Sequence, residues 1–306
     1  MNRFIIFLLG IGVIFIACER KSSLHAKNIQ ESMKEGYMIK ELPMPVIPDS
    51  IKDSDNKRKY AGVHYWDTLN FKDTVLSLND AFMEQSFANF TVILHAQPNE
   101  TSLKNAYEKM LEKASVEPKA LLKLKNIIKL YLGNPNSPMR SEDLWIPYLE
   151  VITADNRYAD ENENLRNELE LELIKKNRPG MLAKDFNYIT KEGSVRTLHT
   201  SPVGSEGIIL IFYDPDCNHC KEIISLLKEN PQISQWIESN KYKVLALDVA
   251  EDYELWEKTY SDMPSEWSVG FNTDSIEEED LYYFPALPVI YILDRNYVVK
   301  EKDVQI

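Results

Sequence analysis

Residues 207–220 read Gly-Ile-Ile-Leu-Ile-Phe-Tyr-Asp-Pro-Asp-Cys-Asn-His-Cys, and they carry the strongest structural signal in the chain. The first seven form a continuous apolar run rich in β-branched and aromatic side chains, which predicts a strand buried on both faces. Asp214-Pro215-Asp216 interrupts the run, and apolar residues with helical spacing follow from Ile223 onward. The pair Cys217 and Cys220 is therefore predicted to lie where a buried strand is followed by a helix.

Two more apolar runs follow in the sequence. Residues 242–249, Tyr-Lys-Val-Leu-Ala-Leu-Asp-Val, predict a second buried strand, so that strand, helix and strand form a βαβ unit with Cys-x-x-Cys at its first turn. Residues 288–294 predict a strand that begins with a proline, and residues 297–299 can pair with it as a hairpin. Only residues 300–306 remain after this hairpin, so we expect the helical half of the chain or a second subunit to cover one face of the sheet.

This order of elements resembles the thioredoxin fold over residues 178–306, and in particular TlpA/ResA-like envelope thioredoxins. Residues 180–186, Gly-Met-Leu-Ala-Lys-Asp-Phe, are similar to the Gly-x-x-Ala-x-Asp-Phe segment of that family. The resemblance implies that Cys217 and Cys220 are a redox pair. It also implies that Leu287 and Pro288 form a cis-proline turn, which faces the cysteines and holds substrate by main-chain hydrogen bonds.

The spacing of the two cysteines has a chemical reason. A thiolate is the nucleophile of disulfide exchange, and the unpaired N–H groups at a helix N-terminus favour an anion there. We therefore assign Cys217, just outside the predicted helix, as the attacking sulfur. Cys220 lies one turn further in and is expected to resolve the mixed disulfide.

Three neighbours are expected to tune how readily the Cys217 thiol ionises. A protonated His219 would favour the thiolate, whereas Asp214 and Asp216 would oppose it. Reductases of this family usually carry Trp in place of Asp216, and many thioredoxins have a buried acid where Ile211 stands, so the direction of electron flow stays open. The Cys-His-Cys cluster lacks a fourth ligand for zinc, and we expect neither a metal nor an organic cofactor.

Residues 46–177 predict a helical domain. Apolar residues recur with helical spacing in segments that begin near Asn79, Leu103, Pro118, Ser141 and Leu165. Residues 60–67 and 136–142 resemble an N-terminal domain of unknown function that precedes thioredoxin-like domains in envelope lipoproteins. We expect this domain to recognise a partner or to position the redox site. The predicted fold class is α+β overall, an N-terminal all-α domain followed by a thioredoxin-like α/β domain over residues 178–306.

The N-terminus resembles a lipoprotein signal. One basic residue, Arg3, precedes an uncharged run over residues 4–17, and Phe15-Ile16-Ala17-Cys18 is similar to a bacterial lipobox. The resemblance implies cleavage after residue 17 and lipid on Cys18, which would anchor the protein to a membrane, facing the periplasm. Residues 18–45 are polar and predict a flexible tether.

Composition narrows the functional classes. The chain has 306 residues, 44% of them hydrophobic and 27% charged, which is typical of globular domains. Its net charge is −13, so nucleic acid is not an expected partner. If Cys18 carries lipid, the two remaining cysteines form one pair, as an exported redox protein requires.

The sequence thus predicts a membrane-anchored thiol-disulfide oxidoreductase of the cell envelope. Its partners would be client proteins bearing thiols or disulfides and a redox protein that supplies or accepts electrons. A different interpretation stays open, in which the domain is a non-catalytic binding module, its disulfide is structural and the helical domain recruits a partner.

Overall fold

A computed structural model of the chain describes residues 41–273, 276 and 280–304. The predicted signal segment, Cys18 and most of the predicted tether lie outside these residues. Within the described part, no helix is both long enough and apolar enough to cross a bilayer.

The first half of the described chain is helical. Its helices are α1 (Ser54–His64), α2 (Thr74–Ser77), α3 (Asp80–His95), α4 (Glu100–Ala114), α5 (Pro118–Ile128), α6 (Glu142–Ala154) and α7 (Glu161–Ile174). Their starts follow local capping signals, as at Asn79, whose side chain accepts a hydrogen bond from the Phe82 N–H at 2.9 Å. A π-helical turn, Lys129–Gly133, continues α5 and ends at a glycine.

We call helices α1–α7 and the loops between them the helical region. Together they enclose one apolar core. Aromatic side chains fill much of it, with Tyr65 stacked on Phe90 and Trp66 packed edge-on against the same ring. The Tyr107 hydroxyl donates to the Leu144 carbonyl at 3.0 Å, which satisfies a polar group inside the core. In α7 the apolar pattern is only partly buried.

The second half builds a sheet with helices against it. The strands are β1 (Asn187–Thr190), β2 (Val195–Thr197), β3 (Gly207–Tyr213), β4 (Tyr242–Asp248), β5 (Ser268–Asn272), β6 (Val289–Asp294) and β7 (Val299–Lys302). The helices are α8 (Asn218–Glu229), α9 (Pro231–Glu238) and α10 (Tyr253–Thr259). The strand order is β2-β1-β5-β4-β3-β6-β7.

Strand β3 lies inside this sheet, parallel to β4 and antiparallel to β6. All seven of its residues are buried, because apolar layers cover both of its faces. The predicted fold class is confirmed: a helical N-terminal region precedes a mixed thioredoxin-like α/β sheet. The pairing of β1 with β2 and β5 was not predicted, because these strands are short and β5 contains a glycine.

The helical region packs against the last hairpin of the sheet. Arg140 forms an ion pair with Asp303, and the Lys302 ammonium lies 3.1 Å from a Glu142 carboxylate oxygen. Lys302 also donates to the Ile174 carbonyl at 2.8 Å. These contacts join the helical region to the end of edge strand β7, whereas the apolar layers on the two faces of the sheet come from residues after residue 182.

Candidate functional site

The turn after β3 brings Cys217 to the start of α8. The Cys217 N–H donates to the Asp214 carbonyl at 3.2 Å, and the Asp214 carboxylate accepts from the Asp216 N–H at 2.7 Å. Cys217 is the N-cap residue of α8, and its sulfur accepts a hydrogen bond from the Cys220 N–H at 3.3 Å. The sulfur thus occupies the end of the helix where backbone N–H groups stabilise negative charge.

The two cysteines differ in their surroundings. Cys217 is partly exposed, whereas Cys220 is fully buried beneath it, and both are free thiols in this structure. Burial raises the pKa of the Cys220 thiol to about 12, and the charges of Cys217 and Asp214 contribute in the same direction. Only Cys217 is therefore accessible to a substrate and favourably placed to be an anion.

The proline segment lies opposite the cysteine pair. The peptide bond between Leu287 and Pro288 is cis, and the Leu287 carbonyl oxygen lies 4.0 Å from the Cys217 sulfur. Leu287 itself packs between the apolar layers on the two faces of the sheet. Residues 70 positions apart in the chain thus meet at the reactive sulfur.

The three predicted tuning residues lie in the same turn and helix, and His219 and Asp216 have charged neighbours of their own. His219 Nδ1 lies 3.7 Å from Glu222, and both side chains are largely exposed. Asp216 is also exposed and lies 3.8 Å from the Lys221 ammonium. Sequence reasoning missed Glu222 and Lys221, although the spacing of three between His219 and Glu222 on a helix was available as a signal.

A buried acid close to the site was also missed. Asp248 is the last residue of β4 and pairs in register with Tyr213, the last residue of β3. It is fully buried, and burial together with the nearby charges of Asp214 and Asp252 raises its pKa to about 6. An acidic residue inside an otherwise apolar buried strand was the signal that could have identified it.

The cavity next to the cysteines includes residues from both halves of the chain. Its lining comprises His219 and Ile223 of α8, residues 285–288 before β6, and residues 135–138 of the helical region. Within the part of the chain that the structure describes, no cluster of His, Cys, Asp or Glu is arranged to hold a metal ion. Cys18, the predicted lipidation site, lies outside that part.

The helical half matches a known family. A family model described as a domain of unknown function (DUF5106) covers residues 18–177, which is just over half of the chain. The chain belongs to this family. The match agrees with the expected N-terminal domain of unknown function and by itself assigns no chemistry.

A solved structure extends the likeness to the whole chain. A thioredoxin-like protein from Bacteroides caccae is 32% identical, with a TM-score of 0.76 over 88% of this chain and 96% of that one. An alignment of this extent includes both the helical region and the sheet. The arrangement of a helical region followed by a thioredoxin-like sheet is therefore shared between the two proteins.

Other solved structures cover a smaller part of the chain. The C-terminal domain of an uncharacterized protein from Bacteroides fragilis is 33% identical over 42% of this chain and 92% of that one, with a TM-score of 0.41. A thiol-disulfide oxidoreductase from the same species is 18% identical over 41% and 91%, with a TM-score of 0.36. None of the curated proteins matches the chain.

Proposed function

We propose that this protein is a thiol-disulfide oxidoreductase that acts on envelope proteins through its Cys-Asn-His-Cys site. The observation that carries the proposal is the position of the Cys217 sulfur, which is partly exposed at the N-terminus of α8 and 3.3 Å from the Cys220 N–H. A purely structural pair needs neither an accessible sulfur nor a helix terminus to stabilise its anion.

The exchange has two balanced steps. In the reducing direction, the Cys217 thiolate attacks one sulfur of a client disulfide, a mixed disulfide forms, and the other client sulfur leaves as a thiolate. Cys220 then loses its proton and attacks the Cys217 sulfur, which releases the second client thiolate and closes the Cys217–Cys220 disulfide. Two electrons pass to the client, and a redox partner protein restores the dithiol; oxidation of a client is the reverse.

The Cys220 environment supports this order of events. Since its pKa is about 12 while Cys217 is free, Cys220 is protonated at neutral pH and does not compete as a nucleophile. Part of that shift comes from the charge of Cys217, which disappears once Cys217 is bound in the mixed disulfide. Cys220 therefore becomes more acidic when its attack is required.

We also propose that the protein is anchored through lipid on Cys18 and faces the periplasm. The motif Phe15-Ile16-Ala17-Cys18 after a short apolar run supports this location. Clients are then envelope proteins with thiols or disulfides, close enough to the membrane for a tethered domain to reach.

Substitution of the resolving cysteine tests the catalytic proposal. Because Cys220→Ser blocks only the second step, this variant should accumulate mixed disulfides with envelope proteins, seen on non-reducing gels and removed by dithiothreitol. Cys217→Ser is the matched control and should trap none. If Cys220→Ser also trapped none, the pair would be structural and the chain a binding module.

A further inference from the structure

The cavity beside the redox pair contains the basis for one more inference. It has a volume of about 320 Å³ and lies between the sheet and the loop of residues 134–140, which we call the 134–140 loop. Leu287 lines this cavity and also contacts the Cys217 sulfur through its carbonyl oxygen. The cavity therefore adjoins the reactive sulfur through Leu287 and reaches the helical region at residues 135–138.

The 134–140 loop is ordered by its own hydrogen bonds. The Ser137 N–H donates to the Asn134 carbonyl at 3.0 Å, and the Ser137 hydroxyl donates to the Tyr131 carbonyl at 2.6 Å. Pro135 and Pro138 restrict the backbone further. A wall that is ordered before binding lowers the entropic cost of recognition.

A buried ion cluster attaches this loop to the sheet. Arg140, at the end of the loop, pairs with Asp303 and lies 3.7 Å from Glu142, and Glu142 in turn pairs with Lys302. The side chains of Arg140 and Lys302 are only 7% and 3% exposed. Separating the two regions would leave these charges unpaired, which is costly, so the loop keeps its position beside the cavity.

The lining suits a polypeptide. Ile223 and Ile290 form an apolar part, whereas the exposed Asn136 side chain contributes a polar amide on the loop side. The cavity lining itself contains Arg140 paired with Asp303, and the adjoining cysteine turn and α8 carry the carboxylates of Asp214, Asp216 and Glu222, of which Asp216 lies 3.8 Å from Lys221. This charge attracts basic segments and disfavours anionic ones.

We infer that the 134–140 loop and the sheet together bind an extended client segment, with neutral or basic residues, that adjoins the reacting cysteine. This inference rests on the proposed thiol-disulfide function and names its substrate class. The helical region thus acts in client selection, and Asn136 is the residue best placed to determine it, since it is exposed and lines the cavity.

The test compares two disulfide probes on the reduced full-length protein. The first is a short lysine-containing peptide whose cysteine is joined to 2-thiopyridine, and the second is 2,2′-dipyridyl disulfide, which has no peptide. In both, Cys217 attacks a sulfur, the S–S bond breaks, and pyridine-2-thione leaves and is measured by its absorbance. Both reactions proceed regardless of the physiological direction of electron flow.

We expect Asn136→Trp, which narrows the cavity, to slow the peptide reaction about tenfold or more, equivalent to about 1.4 kcal/mol. The dipyridyl disulfide reaction should stay within about twofold, because it needs only the Cys217 thiolate. Lys72→Trp, in an exposed turn of the helical region that does not line the cavity, should change neither rate. The wild-type protein should react faster with the lysine peptide than with a glutamate-containing counterpart.

The contrary outcomes are distinct. Three results would each contradict the inferred binding of a client segment between the 134–140 loop and the sheet. They are an unchanged peptide rate in Asn136→Trp, an equal loss of rate with both probes, and a preference for the glutamate peptide. If the wild-type protein reacted with dipyridyl disulfide but not with the peptide, the inferred client-binding site would be contradicted, while the proposed thiol chemistry would stand. No reaction with either probe would overturn the proposed function itself.

Discussion

Asp248 is a carboxylate inside the sheet with half of its hydrogen-bonding capacity unused. Its Oδ1 accepts from the Ala250 N–H at 2.8 Å, but Oδ2 is buried and without a partner. Burial, with added repulsion from Asp214 and Asp252, raises the pKa from 3.8 to about 6. The native fold therefore favours the protonated form, and ionisation of Asp248 lowers the stability of the fold.

The sign of the pH dependence follows from this shift. The folded-state pKa is higher than the unfolded one, so the contribution of Asp248 to stability is complete below about pH 4 and is lost as the pH rises through 6. We expect Asp248→Asn to gain stability over the wild type by about 2–3 kcal/mol on going from about pH 4 to about pH 8. Urea unfolding of both proteins at the two pH values measures the difference, and a pH-independent difference would contradict the assignment.

Strand β3 determines where Cys217 is presented, and its first residue has little steric freedom. Gly207 has a φ of 150°, and a Cβ placed there would lie 1.9 Å from the Leu293 carbonyl oxygen on β6. Neither backbone can move without loss of the pairing that joins the two strands. The glycine is thus required by the close approach of β3 and β6.

We expect Gly207→Ala to lower the free energy of unfolding by about 3 kcal/mol or more, because it adds a backbone clash to an unfavourable φ. Gly193→Ala is the matched control. Gly193 also has a positive φ, 75°, but nothing lies within 4 Å of the added Cβ, so a loss of about 1–2 kcal/mol is expected. Urea denaturation of both variants tests this order, and equal losses would show that the contact with Leu293 does not matter.

Strand β3 and helix α8 are specified by neighbouring residues, whereas other strands of the sheet are not. The apolar run of residues 207–213 and the helical spacing after Cys217 are nearest-neighbour patterns, and both elements formed where they were predicted. Strands β1, β2 and β5 lack such a pattern, since Val195–Thr197 is a short, largely exposed strand. Their pairing depends on long-range contacts that no local pattern specifies.

Across the two regions of the chain, the ion cluster of Arg140, Glu142, Lys302 and Asp303 joins the family-specific helices to the thioredoxin-like sheet. A membrane anchor on Cys18 would hold this joined unit at one surface and limit the clients that it meets. The proposed anchor would act on the entire protein, because the tether of residues 18–45 would set how far the redox site can reach.

The anchoring proposal predicts that the protein takes up radiolabelled palmitate in bacterial cells and sediments with membranes. Cys18→Ser should lose the label and appear in the soluble fraction, since it removes the sulfur that carries lipid. Cys217→Ser is the control and should keep both properties. Label that persisted in Cys18→Ser would contradict lipidation at this residue.

Much of the candidate site could be derived from residues 207–220 alone. The N-cap position of Cys217 and the deeper position of Cys220 depend on a strand, a turn and a helix that are adjacent in sequence. Asp248 and Glu222 were missed for different reasons. Asp248 lies in an apolar run, and the pattern that predicts a buried strand there carries no information about a single acidic residue. Glu222 matters only through its 3.7 Å contact with His219.

The amino-acid sequence alone specified β3, α8 and the cysteine pair between them, because burial on two faces, helical periodicity and capping are encoded over a few neighbouring residues. The family resemblance already implied that the Leu287-Pro288 turn faces the cysteines, whereas tertiary structure alone decided that the 134–140 loop forms the far wall of the cavity beside them. These contacts join segments that lie 70 or more residues apart in the chain. They are selected by the packing of the cores and by one buried ion cluster, and no local pattern specifies either.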